Sequence, residues 1–293
     1  MNSGLRNQPS TRIRRFHATG LAILSLSLMS LVEPAPAQQT EDLTVFNRLR
    51  PEVKTGDPVL KFNGKDLTGF TTYLQGHGTS DPNRVFTVQD GVLRISGQDY
   101  GAVTTVGEFS DYQLIVEWKW GGKTWPPREA ASRDSGILLH CVGPDGAVGG
   151  MWMQSLECQI IEGGCGDILM VAGKEKEKPR LTVNTRIGAD GQPYFDPNGK
   201  PDTRDSGRFN WWGRDPEWKD VLGTRGKRDV EKPAGEWNTM EVIALGDTLT
   251  YLVNGVVVNQ GRGANQTRGK LQFQSEGAEI LFRKIEIRPL QKP

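Results

Sequence analysis

Short runs in which apolar and polar residues alternate recur along most of this chain, with the period of two that a β-strand produces by turning successive side chains to opposite faces. Runs at 85–88, 92–95, 112–120, 135–142, 155–161, 239–244, 248–253, 256–259, 269–274 and 280–287 carry the pattern. Asp90-Gly91 and Asn254-Gly255 stand between neighbouring runs, and both pairs tolerate the positive φ that a two-residue type I′ hairpin requires. Residues 62–70 read as a further strand entering a turn. Many short strands with few helical stretches predict an all-β fold, an antiparallel sandwich or barrel.

The alternation also assigns faces. It turns Ile137, Leu139, Cys158 and Ile160 toward a core and leaves His140, Glu157 and Gln159 on the other side. In 114–120 the core face holds Leu114, Val116, Trp118 and Trp120, while Glu117 and Lys119 face away; in 270–276 Leu271 and Phe273 go inward, with Gln274 and Glu276 outward. Any sheet with one wet face shows polar residues at alternate positions. Here they are carboxylates, amides and a histidine rather than the Ser, Thr and Lys of a plain solvated face, a set able to hold a sugar and move protons. A histidine, whose pKa lies at about 6.5, suits proton transfer beside carboxylates. The candidate catalytic residues are therefore Glu157, His140 and Glu117. The candidate sugar-binding residues are Lys119, Arg133, Asp134, Gln159, Trp152, Gln274 and Glu276.

Charge narrows the partner. The 293 residues carry a net charge of +1, with acids and bases mixed along the whole length. No basic footprint marks a nucleic-acid or membrane surface, so neutral small molecules are the better partner class, a carbohydrate among them given the polar set above. Eight tryptophans are present: Trp118, Trp120 and Trp237 fit core spacing, whereas Trp125, Trp152, Trp211, Trp212 and Trp218 lie in loop-like context, where they either stack on sugar rings or pin loops to the sheet. Glu157, His140 and Glu162 leave a divalent cation open, although no HExxH, CxxC pair or EF-hand loop occurs; nucleotide motifs are absent as well.

Four arginines within the first fifteen residues, an apolar run at 18–32 and Ala35-Pro36-Ala37 have the layout of a cleavable signal, residues 1–37. Export to the periplasm or medium is the expectation, with no membrane association after cleavage. A polar lead-in follows at 38–58, then one folded domain at 59–290, interrupted by a long excursion at about 174–236 that is rich in Gly, Pro and charge. In an oxidising compartment Cys141 and Cys158 either bridge or stay as buried thiols, and no catalytic thiol is expected.

In order and spacing, the segments Phe62-Asn63-Gly64-Lys65-Asp66-Leu67, residues 131–140, residues 155–164, Gly235-Glu236-Trp237-Asn238, Val253-Asn254-Gly255 and residues 274–283 resemble the 3-keto-disaccharide hydrolase family. The resemblance runs from about Val59 to Leu290. It implies a concanavalin-A-like jelly roll of two curved antiparallel sheets with the ligand on the concave one, and hydrolase or lyase action on glycosides oxidised at C3. For such substrates a base, His140 or Glu157, would take the C2 proton while Lys119 or Gln159 holds the enolate oxygen; the C1 group then leaves and water adds back. A lectin-like sugar-binding module and an ordinary glycoside hydrolase using Glu157 with Glu162 or Glu276 are the competing readings. The resemblance transfers no settled catalytic set.

Overall fold

The computed structural model describes residues 43–291. The expected signal segment lies outside the described residues. Among the described residues eighteen strands follow in chain order. The first nine are β1 (Leu60–Lys61), β2 (Phe70–Leu74), β3 (Phe86–Gln89), β4 (Val92–Ile95), β5 (Gly101–Thr105), β6 (Tyr112–Thr124), β7 (Asp134–Val142), β8 (Gln154–Ile161) and β9 (Ile168–Val171). The rest are β10 (Leu181–Ile187), β11 (Pro193–Phe195), β12 (Lys200–Arg204), β13 (Gly207–Phe209), β14 (Asn238–Leu245), β15 (Thr248–Val253), β16 (Val256–Arg262), β17 (Lys270–Ser275) and β18 (Ala278–Pro289).

They form a jelly-roll sandwich of two antiparallel sheets. One has eleven strands along the path β11-β10-β16-β15-β14-β6-β18-β4-β3, with β1 and β12 at its sides; the other has seven, in the order β13-β9-β8-β7-β17-β5-β2. Both hairpin signals form as read, with φ of 52° and 79° at Asp90 and Gly91 and of 49° and 84° at Asn254 and Gly255. Alternation builds the interior: Tyr112, Leu114, Val116, Trp118 and Trp120 of β6 are all buried while their neighbours are partly exposed. Phe273 of β17 meets Phe282 of β18 edge-on at 5.5 Å, which ties the two layers together.

The seven-stranded sheet departs from a plain amphipathic sheet. Polar residues alternate along β7, β8 and β17, yet nearly every residue of these strands is buried. Its outward face is roofed. Residues 143–153 lie over one end, where Gln272 accepts the Met153 N–H at 2.9 Å. Segments near 130 and 220 close another: Leu222 N–H bonds Ala130 O at 2.9 Å, and Asp220 accepts the Ser132 N–H at 2.9 Å.

Three expectations need correcting. The excursion at 174–236 contains β10 to β13, which extend both sheets, because Leu181, Val183 and Thr185 alternate inward between polar neighbours. Its Trp211 and Trp212 are buried and Trp218 donates to Glu162 O at 2.8 Å, so these indoles pin the excursion down. Trp237, expected in the core, instead lies on the eleven-stranded sheet between Lys119 and Arg283, 4.9 and 4.5 Å from its ring centroid. Finally, the described part of the lead-in docks: Phe46 stacks on Trp212 at 4.4 Å, and Phe46, Leu49 and Val53 cover Ile243, Leu252 and Val257.

Strand β7 also hides a break in period. A bulge between Leu139 and Val142 shifts the register of β7 by one residue, with His140 at φ 52°. His140 therefore turns inward, edge-on to Tyr112 at 5.6 Å, and Cys141 turns outward beside Leu138 and Met153. All three cysteines are free and buried.

Burial lowers the His140 pKa to about 4. The unfolded chain then takes a proton near pH 6.5 that the fold refuses, so stability is lost as pH falls from about 6.5 toward 4, by about 3 kcal/mol at completion. Urea titrations of the protein and of His140→Asn, which suits the positive φ, should show their stability difference narrowing by that amount between pH 7 and 4. A difference independent of pH would refute the buried neutral imidazole.

Candidate active site

Residues paired across neighbouring strands share a face, so the registers map the roofed side of the small sheet row by row. Glu157 pairs with Leu138, and Leu138 with Gln272; Gln159 pairs with Gly136 one row on. By the same registers Gln274 stands opposite Gly136 on the other flank and pairs with Ala102 of β5. Asp134 lies two residues from Gly136 on β7, and Glu276 lies two residues past Gln274, just beyond the end of β17. The site is thus centred on a glycine, with Glu157 and Gln159 on one side, Gln274 and Glu276 on the other, and Asp134 at its head.

The glycine is required by space. A Cβ on Gly136 would stand 2.3 Å from both Glu157 Oε1 and Gln274 Oε1. The two side chains lean over the bare backbone toward each other. Gly136→Ala should push them apart, cutting turnover at least tenfold and costing about 1–3 kcal/mol of stability as an overpacked site; retained kcat with intact folding would show that this convergence does not matter.

Glu157, Gln159, Gln274 and Asp134 are all 6% exposed or less. Burial raises the Glu157 carboxyl to about 8 and Asp134 to about 7, and the negative charge of Asp134 adds to the effect on Glu157. The half-buried Glu276 is pushed well above its ordinary value, by desolvation first and then by Asp134 and Glu157. Countercharge comes from Arg128, whose Nη2 lies 3.2 Å from Asp134 Oδ2, and from Arg208 on β13. Arg208 pairs with Leu169, which pairs with Glu157, so it lies in the same row two strands away. Asp167, fully buried, braces that arginine at 3.3 Å, contacts Arg214 and accepts the Trp211 N–H at 2.7 Å.

Several polar atoms here have no partner in the protein: both amide atoms of Gln274 and Oδ1 of Asp134 are buried and unbonded. Such groups cost free energy unless something satisfies them. Sugar hydroxyls, which donate and accept, match that need. Gln159 is better provided, its oxygen accepting the Ile160 N–H at 2.9 Å.

Of the residues nominated from sequence, Glu157, Asp134, Gln159, Gln274 and Glu276 come together, with Trp152 at the edge of the group. Four residues fail. His140 is in the interior between the layers because the bulge reverses its face. Glu117 and Lys119 belong to β6 in the other sheet, where Glu117 pairs with Arg283 at 2.5 Å; period alone assigned a face to each strand but not the sheet it joins. Arg133 is tied to Glu162 at 2.5 Å, and Glu162 also accepts the N–H groups of Arg133 and Gly223, so both serve to clamp loops. Glu162 is thereby withdrawn from the divalent-cation set, and among the described residues no cluster of three His, Cys, Asp or Glu side chains could hold a metal ion.

Arg128, Arg208, Tyr100 and Gly136 were not singled out from sequence. Tyr100, Ala102 and Thr104 alternate with Val103 in a run that could have been read as a strand. Arg208 sits in a three-residue strand with no periodic signal.

Residues 57–288 match the family described as the 3-keto-alpha-glucoside-1,2-lyase-like domain. Among solved structures the chain is similar to a candidate glycosyl hydrolase from Parabacteroides distasonis, at 20% identity and TM-score 0.44, covering 78% of this chain and 92% of that one. It is also similar to a β-glucanase of Bacillus licheniformis, at 14% identity and TM-score 0.41 over 82% and 100% of the two chains, and to the carbohydrate-binding module CBM66 of Bacillus subtilis, at 9% and 0.41 over 75% and 95%. No curated protein matches.

Proposed function

Since the chain belongs to the 3-keto-alpha-glucoside-1,2-lyase-like domain family, we propose that it cleaves 3-keto-glycosides by removing the proton at C2, with Glu157 as the base. The observation that carries this reading is the roofed constellation over Gly136, where buried carboxyl groups with raised pKa stand beside an amide that nothing in the protein satisfies.

A ketone at C3 acidifies the C2 proton. Glu157 takes it, and the C2–H electron pair moves into an enolate whose oxygen is stabilised by the positive field of Arg128 and Arg208 and by the amide N–H groups of Gln274. The enolate then collapses, forming the C1=C2 double bond and expelling the C1 oxygen. Glu276, whose carboxyl is pushed well above its ordinary value by burial and by the nearby Asp134 and Glu157, supplies the proton that oxygen needs. Addition of water across C1=C2 puts hydroxyl on C1 and hydrogen on C2, giving the free 3-keto sugar and net hydrolysis.

A base with pKa about 8 is matched to neutral and mildly alkaline chemistry. The reading includes export, which N-terminal sequencing of the mature protein near Gln38 would test. The functional test is a panel of glycosides and their C3-oxidised forms. Release of aglycone from the oxidised forms alone is expected; cleavage of unoxidised glycosides at equal rate would point to an ordinary glycosidase, and saturable binding without product to a lectin-like module.

A further inference from the structure

We infer that Tyr100 and Trp152 form the subsite for the leaving group, and that this group is a second pyranose ring. The inference rests on the cleavage reading above. Continuing the β17–β5 register beyond Gly101 sets Tyr100 opposite Glu276 and on the face of Ala102, which itself pairs with Gln274. Burial and then the charge of Glu276 raise the Tyr100 phenol, consistent with that placement. Trp152 reaches the same place from the roofing segment: its indole N–H bonds Gly101 O at 3.0 Å, which fixes the ring at the end of β5. The Tyr100 and Trp152 centroids stand 6.4 Å apart with the planes tilted by 45°. That spacing is too narrow for a ring to slip between them, so the two form one aromatic wall, and both rings remain partly exposed.

Direction follows from what is closed. On the β8 side, the Glu162–Arg133 pair and Trp218 knit residues 133, 162 and 223 together. On the β5 side, the unsatisfied Gln274 amide leads past Ala102, with its single methyl, to the wall. Beyond it the rim is polar: Gln75 donates to Gly149 O at 2.8 Å, joining two rim loops, and His77 is exposed beside it. An aromatic face for the C–H side of a ring and polar groups at its edge is the chemistry that recognises a pyranose.

The test compares kcat/KM for a 3-keto-disaccharide and for a methyl 3-keto-glucoside in the protein, Trp152→Phe, Trp152→Ala and Tyr100→Leu. Loss of a stacked ring corresponds to about tenfold. Trp152→Ala and Tyr100→Leu should each lower the disaccharide value by about that factor while moving the methyl glycoside value about twofold or less, and Trp152→Phe should restore most of the loss. Equal losses on both substrates, or none on either, would overturn the subsite; Tyr100→Leu keeps the test open if Trp152→Ala does not fold. If the unaltered protein cleaves neither substrate, the cleavage reading falls by itself. Calorimetry of an unoxidised disaccharide then decides the subsite: weaker binding by Trp152→Ala supports it, and equal or absent binding overturns it.

Discussion

Glu157→Gln should abolish cleavage of a 3-keto-disaccharide, lowering kcat by about 10²–10⁴-fold, and at the same time make the protein harder to unfold at pH 8. The two effects have one cause. Placing a carboxyl where burial lifts its pKa from 4.5 to about 8 means that the fold holds a proton the unfolded chain releases. Protonation therefore favours the folded state: the penalty is absent below about pH 4.5, grows as pH rises and is complete above about 8, where it is on the order of a few kcal/mol. Glutamine keeps the shape and carries no charge, so it removes the penalty along with the base. Thermal melts should show Glu157→Gln gaining on the parent at pH 8 and matching it near pH 4.5, and kcat/KM of the parent should rise with pH toward about 8. A variant that is inactive but destabilised at pH 8 would show that Glu157 supports the structure instead of straining it.

Asp167→Ala is expected to give the largest loss of stability, about 3–5 kcal/mol. This carboxylate is fully buried, contacts Arg214 and accepts the Trp211 N–H at 2.7 Å. Arg214 is itself buried. Removing only the acid leaves an uncompensated cation and an orphaned backbone N–H inside the protein, the costly way to break a buried pair. Arg208, braced at 3.3 Å by the same carboxylate, also loses its anchor, so its countercharge near Glu157 becomes less well placed. In urea titrations Asp167→Ala should unfold at markedly lower denaturant. Asp167→Asn should lose less, since the acceptor for Trp211 is kept. A loss below about 1 kcal/mol would mean that this network contributes little to holding β13 against the site.

Much of this architecture was written in the alternation. Strands near 92–95, 112–120, 135–142, 155–161 and 248–253, both type I′ hairpins and the inward set from β6 emerge from period-two patterning because side-chain burial enforces it. Part of the candidate site was legible too, since Glu157 and Gln159 alternate with Leu156, Cys158 and Ile160, and Gln274 follows Phe273. What escaped has physical reasons. A one-residue bulge in β7 reverses every face beyond it, and nothing in Leu138-Leu139-His140-Cys141 announces it. Glu117 alternates as well as Glu157 does, but its strand pairs with β14 and β18, and pairing across more than a hundred residues leaves no trace in local pattern. Strand β13 is only three residues long, so the arginine it brings to the site carried no periodic mark. The roof over the small sheet, which turns an apparently wet face into a buried one, arises from loops whose contacts are all remote in sequence.

The most direct measurement is the C2 deuterium isotope effect on cleavage of a 3-keto-glucoside, taken with the protein and with a slow variant such as Gly136→Ala. Proton removal by Glu157 predicts a primary isotope effect on kcat/KM for the 2-deuterated substrate and transfer of solvent deuterium into C2 of the product. Equal rates for the protiated and deuterated substrates, with C2 hydrogen fully retained in the free sugar, would contradict it.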